Sequence, residues 1–162
     1  MGPHDPSSGA GEKKRGEKWG WLVVLAVVAI AVIVGYFMVY KPRMQVKNYA
    51  SYCSLTVCGI ETKLQNFDTA DRDTRVRIVE SLPRLWDGFC ELDSPDNPRA
   101  EEIQWKMAKL FEYTKTFMVQ ELEEKYVGSE KEDALRVIQE RIGDLKLLID
   151  DTVAYGNFKR IR

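Results

Sequence analysis

Three cysteines, Cys53, Cys58 and Cys90, are the side chains of this sequence best suited to chemistry. Two of them fall within YCSLTVCGIE, residues 52–61. A thiol pair can close a disulfide, hold zinc or cycle between redox states. On a regular helix, residues five apart are turned by about 140° and their Cα atoms lie about 8.6 Å apart. A disulfide needs Cα atoms roughly 4.4–6.8 Å apart. If the stretch is helical, Cys53 and Cys58 can neither bond nor share a metal. Zinc clips also want further ligands, and Cys90 is the only other cysteine.

Other catalytic sets are weaker still. The one histidine, His4, lies in the N-terminal tail, far from any folded site. Carboxylate pairs occur at Glu101–Glu102, Glu123–Glu124 and Asp150–Asp151. A di-iron bundle would need Glu-x-x-His motifs beside them, so they read as solvated helix faces. No Gly-rich phosphate loop, nucleophile elbow or H-E-x-x-H run is present. The expectation is a protein that is not an enzyme, with no cofactor and no metal. A formal net charge of −1 supplies no field for nucleic acid.

The elements that carry these residues read as helices. Val46, Ala50, Cys53, Val57, Ile60, Leu64 and Phe67 step by four and three, an apolar heptad stripe of coiled-coil type. Ile78, Leu82, Leu85, Phe89 and Leu92 repeat the pattern. A third segment runs from Ile103 through Met107, Leu110, Phe111, Phe117 and Met118 to Leu122, and a fourth through Leu135, Ile138, Ile142, Leu145 and Ile149. Asn97 before Pro98 reads as an N-cap. Gly128 reads as a helix stop, followed by a Ser129/Glu132 capping box. Pro83 predicts a kink or split in the second helix, and Gly156 an end to the fourth. The fold class predicted is all-α: an elongated antiparallel four-helix bundle over 48–156, preceded by a single N-terminal transmembrane helix. Cys53 sits on its stripe and reads as a small buried hydrophobe. Cys58 and Cys90 flank neighbouring stripes, which leaves two readings open, a Cys58–Cys90 disulfide or three unpaired structural thiols.

The span is WGWLVVLAVVAIAVIVGYFMVY, residues 19–40, without a single charge. As a helix it covers about 33 Å against a hydrocarbon core of roughly 30 Å. Trp19 and Trp21 at one end, and Tyr36, Phe37 and Tyr40 at the other, suit two membrane interfaces. Small residues at Ala29 and Ala31 resemble a signal cleavage site, but VIVGYFMVY would then form an apolar new N-terminus, so the span reads as uncleaved. Residues 1–18 read as a disordered polar and basic tail, 41–47 as a basic juxtamembrane linker, and 157–162 as a basic tip. Lys13, Lys14, Arg15 and Lys18 slightly outweigh Lys41, Arg43 and Lys47, which favours a signal-anchor with its N-terminus cytoplasmic and its C-terminal domain extracytoplasmic.

Several aromatics fall beside the stripes. Tyr49, Tyr52, Trp86 and Trp105 are read as partner contacts, because Trp and Tyr are enriched at interface cores. The function this implies is a structural or accessory subunit, or adaptor, whose partners are the lipid bilayer and other proteins of a membrane complex. The alternative is a membrane-anchored helical sensor that holds a small ligand and works through a partner.

Overall fold

The computed structural model describes residues 10–156, all helical apart from short connections. The first nine residues of the predicted tail and the basic tip at 157–162 lie outside the described residues. The chain divides into two compact units, Met1–Lys41 and Pro42–Arg162.

The first unit is helix α1, Ala10–Gly35, continued by a π-helical turn at Tyr36–Tyr40. Helix starts at Ala10 rather than Trp19. The residues between are mostly good helix formers, and no proline or turn pair separates them from the apolar run. From Trp19 to Tyr40 every side chain is exposed, so no protein covers the apolar surface. The helix is long and apolar enough to cross a membrane.

The π turn has a local cause. Pro42 has no N–H, and in an α-helix its ring would collide with the Met38 carbonyl. The Lys41 N–H instead reaches back to the Tyr36 carbonyl, a bond five residues long. That wider turn gives the proline room and lets helix run directly into α2, Lys41–Thr69. Tyr36 and Tyr40 stack at 5.4 Å across the turn, and the Lys41 ammonium lies 5.4 Å from the Phe37 ring.

The second unit packs four helices together: α2, α3 (Arg72–Cys90), α4 (Pro98–Leu122) and α5 (Glu130–Gly156). Each runs back along its predecessor. Lys63 donates to Ser81 at 2.6 Å between α2 and α3. Trp86 stacks on Phe111 between α3 and α4, and the Arg141 guanidinium lies over the Tyr113 ring between α4 and α5. Lys146 donates to Glu61 at 2.7 Å, which closes α5 onto α2. The stripes read from the sequence form the core, with Cys53, Val57, Ile60, Leu82, Ile103, Met107, Leu110 and Leu145 fully buried.

Caps and stops account for the helix ends. Asp71 caps α3 by accepting from the Thr74 N–H at 2.8 Å, and that bond holds its carboxyl below the usual range. Asn97 accepts from the Arg99 N–H at 3.0 Å, with Pro98 in the first turn, as the sequence predicts. Pro83 neither splits nor ends α3; it lies inside the helix and its side chain is exposed.

The stop between α4 and α5 differs from the expectation. Helix α4 closes before Gly128, with Glu124 in the left-handed region at φ 54°. Lys125 N–H bonds to the Gln120 carbonyl at 3.0 Å and Glu124 N–H to Glu121 at 3.2 Å, the two bonds of a Schellman motif. At the start of α5, Glu130 rather than Ser129 makes the side-chain contact, accepting from the Val127 N–H at 3.2 Å. Where α5 ends, a Cβ on Gly156 would stand 2.5 Å from Lys47 Cβ. Only glycine allows α5 to approach α2 so closely.

Candidate interaction surface

The cysteines resolve first. Cys53, Cys58 and Cys90 are all free thiols. Cys58 and Cys90 are not bonded in the structure, in keeping with the register: Lys63 meets Ser81, and Gly59 faces Leu85, whose Cδ1 lies 3.3 Å from where a glycine Cβ would stand. Continued along both helices, that pairing sets Cys90 opposite residue 54 and Cys58 opposite Trp86, a full turn apart on each helix. Cys58 and Cys90 are exposed, whereas Cys53 is completely buried.

Tyr49 is not a surface residue. It is 4% exposed and belongs to the core. Its hydroxyl lies near the Cys53 thiol and the Ser94 hydroxyl, where α2 meets the loop between α3 and α4. Burial raises the phenol to about 12 and the Cys53 thiol to about 11. The stripe is simply wider than its a and d positions, since a bundle helix buries an arc that reaches one residue beyond the seam.

Trp86 is likewise drawn inward. Its ring lies 4.9 Å from Phe111 and 5.2 Å from Phe89, and Phe89 lies 6.5 Å from Tyr49. These four rings bridge α2, α3 and α4, and Trp86 is half-buried. Tyr52 remains on the surface at 57% exposure. It lines a cleft of about 310 Å³ with Asn48, Leu92 and Pro95, and Leu55, one turn on, is exposed too.

Trp105 stands out on α4 at 60% exposure. Lys106 beside it, and Arg141 and Asp144 on α5, complete a small cleft of about 60 Å³. The Arg141 guanidinium carbon sits 4.1 Å from the centre of the Tyr113 ring. Arg141 Nε is buried and lacks a hydrogen-bond partner, as does Thr114 Oγ1 in the core. Periodicity cannot reveal Tyr113 and Arg141 as a pair, because it does not say which flanks of two helices will meet.

A wider groove of about 350 Å³ lies further along the same two helices, lined by Tyr113, Phe117, Tyr126, Ala134 and Val137 among others. Beyond it, Glu121 is shared by Lys131 at 2.8 Å and Arg75 at 3.6 Å, and Lys131 also reaches Asp68 at 3.3 Å. The Glu121 bond holds the Lys131 ammonium above its ordinary value. Four side chains from the ends of all four bundle helices thus form one ionic clasp.

Among the described residues, no three metal-ligating side chains gather at one point. The carboxylate pairs are split across faces. Glu102 lies near Lys106 at 3.7 Å, and Asp151 pairs with Arg99, whose guanidinium also covers Tyr155 at 4.8 Å. Comparison with protein families, with curated proteins and with solved structures found no match for this chain.

Proposed function

We propose that this protein is a single-pass, non-catalytic membrane protein whose bundle serves as an accessory subunit or adaptor of a larger membrane complex. The observation that carries this reading is Trp105, a large apolar ring held in water at 60% exposure and sharing a cleft with Arg141, which itself packs on Tyr113. Trp, Tyr and Arg together are the residue types that dominate binding energy at protein interfaces. The uncovered apolar helix supports the membrane half, since such a surface is stable only in lipid or against other apolar helices. The cytoplasmic N-terminus rests on the balance of flanking charge.

The test is purification of the full chain from its native membrane in mild detergent. A partner present at fixed stoichiometry is expected, and substituting Trp105 weakens it. Recovery of the chain alone, with the same melting point in every membrane extract, overturns the reading. The sensor alternative draws on the groove of about 350 Å³, which lies at the lower end of ligand-pocket sizes. It requires a melting point that rises with a metabolite while no protein co-purifies.

A further inference from the structure

We infer that the cleft between α4 and α5 receives a carboxylate side chain of the partner protein, bound by Arg141 beside Trp105. The inference rests on the accessory-subunit reading and names the chemistry of its contact. Arg141 is held in place before any partner arrives: its guanidinium carbon lies 4.1 Å from the centre of the Tyr113 ring. That cation–π contact restrains the side chain and shields part of it from water. The Nε–H is buried and has no acceptor among the described residues. A carboxylate entering the cleft meets the part of the guanidinium that lines it and pairs there through charge-assisted bonds.

Size and charge narrow the ligand. The cleft holds about 60 Å³, far below the ~300–1,000 Å³ of small-molecule pockets. It has room for a side-chain head group and not for a metabolite. Its lining carries two cations, Lys106 and Arg141, against one carboxylate, Asp144. Lys106 is only loosely engaged by Glu102, at 3.7 Å on the solvated face of α4. The exposed ring of Trp105 forms one wall and offers an apolar face to the residue that follows the acid.

The experiment uses the full chain in its native membrane. A photoreactive residue replaces Lys109, one turn along α4 from Trp105, and the adduct is mapped by mass spectrometry. The expected adduct lies on a protein segment carrying Asp or Glu. Changing that acid to its amide, or Arg141→Gln, should each lower recovery of the partner about tenfold, and the two together no further. Arg141→Asp should regain partner when the acid is changed to Arg. Should Arg141→Gln fail to fold, Trp105→Ala combined with the partner's amide variant supplies the same cycle, since Trp105 is exposed. An adduct on lipid, on a second copy of this chain, or on a segment without an acid overturns the inference. So does Arg141→Gln that binds as the native chain does. Absence of any adduct overturns both this inference and the accessory-subunit reading, whereas an adduct indifferent to Arg141 overturns this one alone.

Discussion

At the scale of single residues, two tryptophans separate packing from display. Trp86 is wedged between Phe89 and Phe111, whereas Trp105 stands in solvent. Trp86→Ala is expected to cost about 3 kcal/mol, as core aromatics do, and Trp105→Ala no more than about 0.5 kcal/mol. Urea unfolding of the two variants checks this, and equal losses would place Trp105 in the core after all. Cys53 and Tyr49 make a second contrast with the exposed thiols. Maleimide at neutral pH should label Cys58 and Cys90 in the native chain and reach Cys53 only after unfolding. The folded pKa values, about 11 for Cys53 and about 12 for Tyr49, lie above the ordinary 9.0 and 10.0. Unfolding therefore releases protons at alkaline pH. The contribution is intact below about pH 9 and drains as pH climbs through the folded values. Cys53→Ala should flatten part of the fall in melting temperature between pH 9 and 11, and an unchanged slope would count against the buried thiol.

At the scale of elements, connections carry the strain. The end of α4 places Glu124 at φ 54°, a conformation that costs an L-residue of this kind roughly 1–2 kcal/mol. Glu124→Gly should raise stability by about 0.5–1 kcal/mol, net of glycine's greater freedom in the unfolded chain. A lower melting point for this variant would mean that the Glu124 side chain offsets the strain. The π turn before Pro42 shows the opposite economy. There the helix absorbs a proline by widening one turn, so no loop is needed between the apolar run and α2.

At the scale of the molecule, all three thiols lie in the bundle unit and none in the apolar unit. They therefore report which side of a membrane the bundle occupies. With the N-terminus cytoplasmic, a membrane-impermeant maleimide added to intact cells should label Cys58 and Cys90. Labelling only after the membrane is opened would reverse the orientation, and complete release of the chain by a carbonate wash would remove the span altogether. The clasp of Glu121 with Arg75 and Lys131 bears on how the far end of the bundle holds. Glu121 is largely buried there, so it is screened less than the surface pairs along α4 and α5.

Composition and period by themselves determined the helices, the seams between them and the one uncharged run. Those features depend on how residues repeat along a chain, and repetition is visible without a third dimension. The stripe of α2 from Val46 to Phe67 is buried at every position named from it. Tertiary structure alone decided which off-stripe residues were covered: Tyr49 went in, Trp86 went halfway and Trp105 stayed out. It also decided that Cys58 and Cys90 miss one another by a turn, and that Arg141 meets Tyr113. Each outcome depends on the relative rotation and register of two helices, quantities that belong to the pair and are written in neither strand of sequence alone.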